Sequence, residues 1–325
     1  MRHFTAAAAA LCTLSLAFIG SAQAQSYPER PVTMIVPWAP GGAADIIARL
    51  VAEPMGDTLG QPVVIENRPG AGGTVGSAVV ANADPDGYTI LMGNVSSEAI
   101  APAFYADTIP YNVLEDFAPV SQLVEQPNVL LVATDSEFDT VQDLMSYLKA
   151  NPGELYATPG VGNSPYLTFE LIKDVYGVEM ENVPYDSGAE VNNALAAGDI
   201  EIAINNLPGA MKAIQSGTAK PLAVTAPQRN PLLPDVPTFA EAGADSILAI
   251  SWQGIFAPAG TPDDVVNKIY EAAAAALKDD NVIQRNKELG SVPVGSTPQE
   301  FKAFVASEIK NWAHMVELAD AKAPN

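Results

Sequence analysis

One cysteine, two histidines and 16 lysines plus arginines are spread over 325 residues, and each shortage closes off a class of protein. The cysteine, Cys12, falls inside an apolar N-terminal run. The rest of the chain therefore has no thiol for a disulfide, a thiolate metal site or a nucleophile. Beyond His3 the only imidazole is His314, which leaves acid–base and metal chemistry without its commonest side chain. After the first 24 residues no apolar stretch reaches the roughly 20 residues that a membrane span needs. Against those 16 basic residues stand 38 acidic ones, a formal charge of −22. A field of that sign opposes nucleic acids and anionic membranes, which are bound through basic patches. It does not mark disorder, because 48% of the residues are hydrophobic and the charges are scattered.

What is present begins with an export signal. Arg2 and His3 make a short basic start, Ala6 to Gly20 is almost continuously apolar, and Ala22 and Ala24 stand at the small-residue positions of a cleavage site. Residues 1–24 read as a secretory signal peptide cut after Ala24. A lipid anchor at Cys12 is disfavoured by the bulky Leu11 before it. Losing Arg2 leaves 15 basic against 38 acidic residues, a charge of −23. The exported chain of about 300 residues then needs a core that stands without disulfides, and its length suggests two domains.

From Val32 onward short β-rich runs alternate with helical patterns. "VTMIVP", "PVVIEN" and "GYTILMG" read as strands, with Ile46, Ile47, Leu50 and Val51 at helical spacing between the first two. Pro54 is expected to bend or end that helix, and Leu59–Gly60 to close the connection. A second set of units follows from Asn128. It comprises the strand "NVLLVATD", the helix "DTVQDLMSYLKAN", the strand "ELYATPG", a helix capped by Ser164 with Pro165 at its first position, and the strand "DIEIAINN". "RNPLLPDVPTFAEAGA" reads as surface loop with a short helix, and two amphipathic helices end the chain, near 262–278 and 298–319. Thr297 with Glu300 makes a capping-box pattern, and the stripe Phe301, Phe304, Val305, Ile309 and Trp312 reads as core. Repeated strand–loop–helix units predict α/β layers around a mainly parallel sheet.

Chemistry is carried by the loops. In "VPWAPGGAADIIARL" a strand stops at Pro37, two glycines follow, and a helix starts with its first amides uncovered and no cation before Arg49. Such an end carries unpaired N–H groups and partial positive charge, and glycines let an anion approach the backbone. "GAGGTVG", Gly70 to Gly76, is not a dinucleotide fingerprint. Asn67, Arg68 and Pro69 separate it from its strand and the acidic partner is missing. Its glycines read as close helix–strand packing, and no cofactor or metal is expected. An enzyme reading fares poorly: the serines lack the nucleophile-elbow setting and an Asp45–Asp186 pair has no supporting metal cluster.

The quoted stretches in series resemble one family. "YPERPVTMIVPWAPGGAADIIARL", "LGQPVVIENRPGAGGTVGSAVVANADPDGYTIL", "PGELYATPGVGNSPYLTFELI", "LAVTAPQR", "LPDVPTFAEAG" and "WQGIFAPAGTPDDVV" are similar, in order, to the periplasmic solute-binding proteins of the tripartite tricarboxylate transporters, the TctC or Bug family. The resemblance implies a two-lobed, type II periplasmic binding protein-like fold: two α/β sandwich domains joined by two crossover strands, closing over a small organic acid. Domain 1 would comprise residues 25–125 plus 249–325, and domain 2 residues 126–248. It further implies the periplasm of a Gram-negative bacterium, a monomer, and either a two-component membrane permease or a sensor kinase as partner, with no nucleic acid and no membrane insertion.

On this sequence the resemblance places a ligand carboxylate at Pro40, Gly41, Gly42, Ala43 and Asp45. Asp45 has two readings, a brace reaching back to the loop amides or a group beside the ligand. Two further loops should face this one: Asn94, Ser96 and Ser97 after "GYTILM", and Thr158, Gly160, Val161, Gly162, Asn163 and Ser164 in "TPGVGNSPY". Tyr185, Asp186 and Asn205 make a third group, with Ser187 beside them. Asp186 departs from the often basic family position, as do Trp38 from phenylalanine and Tyr166 from histidine. Asp186 therefore argues against a multiply charged anion on its side, unless it points away, whereas Trp38 and Tyr166 suit an aromatic acid or form plain wall.

Overall fold

The computed structural model describes residues 27–319 and 321, so the signal peptide read over 1–24 lies outside the described residues. The described chain opens with β1 (Val32–Val36), α1 (Ala43–Leu59), β2 (Val63–Asn67), α2 (Thr74–Ala81) and β3 (Thr89–Asn94). Two short helices, α3 (Ala101–Phe104) and α4 (Val113–Asp116), lead into β4 (Phe117–Ala133). Then come α5 (Val141–Ala150), β5 (Glu154–Thr158), α6 (Ser164–Tyr176), β6 (Met180–Pro184), α7 (Gly188–Ala197), β7 (Ile202–Asn206), α8 (Leu207–Gln215) and β8 (Ala219–Val224). After a long loop the chain finishes with β9 (Ile250–Pro258), α9 (Asp263–Ala276), α10 (Asp280–Leu289), β10 (Val292–Pro293) and α11 (Pro298–Leu318).

Parallel pairing holds within each repeated unit. β1 lies between β2 and β3, and β5 between β6 and β7, all parallel, as helical crossovers dictate. The long strands break the pattern. β4 runs for 17 residues, about three times the usual strand. Its first part, Phe117–Pro127, pairs antiparallel with β9, and Asn128–Ala133 pair with β7 and β8. One strand thus passes from one sheet into the other without a turn. A second connection returns through Thr225 and Ala249, whose backbones are hydrogen-bonded to each other, into β9. This is the two-lobed periplasmic binding protein fold.

Helices cover both faces of each sheet. On the first lobe α1 and α9 pack Ile47, Val51 and Met55 against Ile269 and Ala273. On the opposite face α11 lays Phe301, Val305 and Trp312 against Trp252 and Phe256. Phe301 sits directly on Gly254 of β9, leaving no space for a Cβ there. Each such fully buried side chain contributes about 1.5–3 kcal/mol. The aromatic stripe is core, and Thr297 with Glu300 forms the expected capping box. Gly76 of α2 is pressed against Pro37, where a Cβ would come within 2.7 Å of the Pro37 Cα, so the glycine-rich turn does serve close packing.

Three local expectations are corrected, and one alternative is decided. At Pro54 α1 does not end but runs to Leu59, where Gly60 closes it as expected, because its buried face continues from Val51 to Met55 and outweighs the roughly 3 kcal/mol cost of an internal proline. Asn163, not Ser164, caps α6: its Oδ1 accepts the Tyr166 N–H at 2.9 Å. The segment 229–244 forms turns and a bridge from Thr238 to Val224, with no helix, because Phe239 is pulled into the core. A further helix, α10, stands between the two that the terminal pattern predicts. Most of its side chains are polar, and burial of Val282, Asn286 and Leu289 holds its inner face.

Candidate functional site

Between the lobes lies a cavity. Its walls are built largely from helix beginnings. Gly42, Ala43 and Ala44 start α1, Asn163 and Pro165 belong to the start of α6, Ser187 and Gly188 to that of α7, and Asn206 to that of α8. Trp38, Ala39, Asn94, Ser96, Pro159, Asp186 and Asn205 complete the lining. Four helix N-termini therefore aim their partial positive charge at one space. At α1 and α8 no side chain caps the end, among the described residues.

The loop before α1 is held rigid from behind. The Gly41 N–H donates to Asp45 Oδ2 at 2.9 Å, Arg49 Nε donates to both Asp45 oxygens, and Asn67 Nδ2 donates to Asp45 Oδ1. Asn67 also donates to the Trp38 carbonyl, which ties the aromatic residue into the same brace. Asp45 is 3% exposed and does not line the cavity. Burial pushes its carboxyl up, but the hydrogen bonds from Arg49, Gly41 and Asn67, with the charge of Arg49, hold it below its ordinary value. An ionised Asp45 fixes Gly41 and leaves the Ala43 and Ala44 amides to the cavity. Pro40 and Gly41 lie outside that lining.

The turn after β3 is organised by one amide. Asn94 Oδ1 accepts from the Ser96 N–H at 2.9 Å and the Ser97 N–H at 3.1 Å, and from Ser97 Oγ at 3.3 Å. Asn94 and Ser96 face the cavity; Ser97 stands behind them. Beneath the turn Glu98 is fully buried.

On the opposite lobe the loop 158–164 closes the structure more than it lines the cavity. Thr158 Oγ1 donates to the Gly160 carbonyl at 2.6 Å, and Asn163 Nδ2 to the Pro159 carbonyl at 2.8 Å. Val161 accepts from the Tyr105 hydroxyl across the gap at 3.1 Å, and Tyr166 meets Phe104 edge to face at 5.8 Å. Gly162 abuts the same ring of Phe104. Ser164 Oγ donates to Asn128 Oδ1 on the crossover strand. The lobes thus touch beside the cavity, which is the closed arrangement.

The third group splits. Asp186 and Asn205 line the cavity, whereas Tyr185 and Gly160 lie at a more open space beside it. The Asn205 amide is used internally, donating to the Gly188 carbonyl at 3.0 Å and accepting from the Asn206 N–H at 2.9 Å. Sequence reasoning did not include Ala39, Ala44, Pro159, Pro165, Gly188 or Asn206 in the site, because they offer backbone or shape rather than reactive side chains. The helix starts at "NSP" and "NNLP" were the available signal for Pro165 and Asn206. No Lys or Arg lines the cavity, and no cluster of metal-ligating side chains occurs among the described residues. The arrangement suits a small anion held by main-chain and neutral side-chain donors.

A family described as the tripartite tricarboxylate transporter family receptor matches residues 47–320. Protein BugT of Bordetella pertussis is 35% identical over 300 residues, covering 92% of each chain. Among solved structures, MatC (Rpa3494) from Rhodopseudomonas palustris with bound malate superposes with a TM-score of 0.85 at 34% identity, over 89% of this chain and all of that one. Rpa4515 of R. palustris with adipate superposes with a TM-score of 0.87 at 35% identity, over 91% of this chain and 99% of that one.

Proposed function

Because the chain belongs to the tripartite tricarboxylate transporter receptor family, we propose that it captures a small organic carboxylate in the periplasm and delivers it to a two-component membrane permease. The observation that carries this reading is the convergence of four helix N-termini on a cavity without a basic side chain. Malate and adipate in the two related structures support the carboxylate class. The export signal supports the compartment, and in this reading one lobe gives way to the other between residues 125 and 126 and again between 248 and 249.

Energetics allow the job to be done without lysine or arginine. A helix end contributes about 0.3–1 kcal/mol to an anion, approaching 2 when partly buried. Each hydrogen bond to a charged group adds about 1.5–3 kcal/mol. A few converging amides account for much of the roughly 8 kcal/mol in a micromolar complex after ordering costs. The net negative charge acts at long range, where salt screens it, whereas the amides act at contact. Closure follows only from tighter binding to the closed form.

Isothermal titration of the exported protein with mono-, di- and aromatic carboxylates is expected to give a saturable isotherm, micromolar or tighter, for at least one acid. Stabilisation by neutral or cationic compounds alone, with no response to any carboxylate, would overturn the reading. A second expectation concerns closure. Gly162 has φ +70°, and a Cβ there would lie 2.6 Å from Phe104 Cδ1 on the other lobe. Gly162→Ala should hold the lobes apart and weaken the ligand at least tenfold. Small-angle scattering should show the variant remaining expanded when ligand is added; compaction like that of the parent would count against the closure argument.

A further inference from the structure

The cavity does not end at its closed part. A more open space shares Trp38, Pro159 and Asp186 with it and adds Tyr185 and Glu190. Charge on these walls is one-sided. Asp186 and Glu190 are exposed and make no ion pair among the described residues. Glu190 Oε2 accepts the Asp186 backbone N–H at 3.2 Å, which brings the two acidic residues together at the mouth. The guanidinium groups nearest in sequence to the first-lobe loops are committed elsewhere: Arg49 to Asp45 and Asn67, and Arg68 to Glu66.

Asp186 is surplus to its own helix. An acidic residue before α7 would favour the helix end, but Ser187 already caps it and Glu190 already supplies first-turn charge. The facing wall is the reverse in character. Asn94 is 7% and Ser96 4% exposed, yet neither Asn94 Nδ2 nor Ser96 Oγ has a hydrogen-bond partner among the described residues, although both residues line the cavity. Together with the α1 amides they are donors waiting for an acceptor. One wall thus offers free donors to a carboxylate, and on the other Asp186 sets an unpaired negative charge among the starts of α6, α7 and α8.

This inference rests on the carboxylate reading of the cleft. We infer that the ligand is a zwitterion, with one carboxylate held by α1 and the Asn94–Ser96 turn and an ammonium group facing Asp186, while Glu190 strengthens the field at the mouth. A simple dicarboxylate would have to place its second anionic end beside Asp186 with no cation to receive it.

The test compares acids of equal chain length on the exported protein at low ionic strength: pentanoate, glutarate, 5-aminopentanoate and 2-aminopentanoate, by calorimetry. One of the two amino acids is expected to bind at least tenfold more tightly than either glutarate or pentanoate. Asp186→Asn should weaken that amino acid about tenfold and tighten glutarate; opposite changes in one variant do not arise from misfolding. Glutarate as the tightest ligand of the parent, or an amino-acid preference that survives Asp186→Asn, sinks the zwitterion and leaves the carboxylate reading standing. Failure of all four acids, with binding of an uncharged compound instead, removes both.

Discussion

Replacing Ala43 with proline should lower carboxylate affinity roughly ten- to a hundredfold while leaving α1 intact. Ala43 is the first residue of the helix and lines the cavity. Proline is tolerated at that position because the N–H it lacks has no partner within the helix. Gly42 before it is extended, with φ −76° and ψ 168°, which is the conformation a following proline requires. The substitution therefore deletes one donor from the cavity wall and little else. The loss of about 1.5–3 kcal/mol expected for a hydrogen bond to a charged acceptor gives the range stated. Calorimetry supplies the affinity, and circular dichroism with a melting curve checks the helix. Unchanged affinity in a folded variant would show that the α1 amides do not hold the ligand.

The second large effect is on stability and comes from Glu98. This side chain is fully buried in the turn that follows β3. Ser77 Oγ donates to its Oε1 at 2.7 Å, while Oε2 has no partner. Burial pushes the carboxyl from 4.5 up to about 7, with the hydrogen bond from Ser77 working the other way. The unfolded chain releases this proton near 4.5, whereas the folded chain keeps it to about 7. The folded state binds more protons across that window, so stability falls as pH rises through it and levels off above. The spread is worth roughly 3 kcal/mol. Glu98→Gln keeps the shape and the Ser77 bond but cannot ionise. It should melt several degrees higher than the parent at pH 8, and near the parent's temperature at pH 4.5. Parallel melting curves for the two proteins from pH 4.5 to 8 would remove the argument.

Glu98 also shows why some of the site escaped a linear reading. Its neighbours Asn94, Ser96 and Ser97 were visible as donors, but a carboxylate in a serine-rich turn looks like a solvated residue. Only the packing of Phe256 and Gly93 around it makes it a buried acid. Asp45 is similar. Its place in the first helical turn and its reach back to a loop amide were legible; its hydrogen bond from Asn67, 22 residues away, was not. Asn163 displaced Ser164 as the cap because the two are adjacent and equally suited, and the choice depends on where Asn128 sits.

Local rules carried the chain a long way because they act over a few residues. The α/β alternation, the Thr297–Glu300 cap, the core stripe of α11 and the glycine loop before α1 all follow from neighbouring side chains and backbone preference. Tertiary structure alone decided which helix beginnings share a space, which donors are already spent, and that Asp186 faces the cavity unpaired. Those depend on β4 running from one sheet into the other, on the return through Thr225 and Ala249 into β9, and on the lobes meeting, which join residues more than a hundred positions apart. Pairing at that distance is chosen by total burial and hydrogen-bond satisfaction, and no short stretch contains that information.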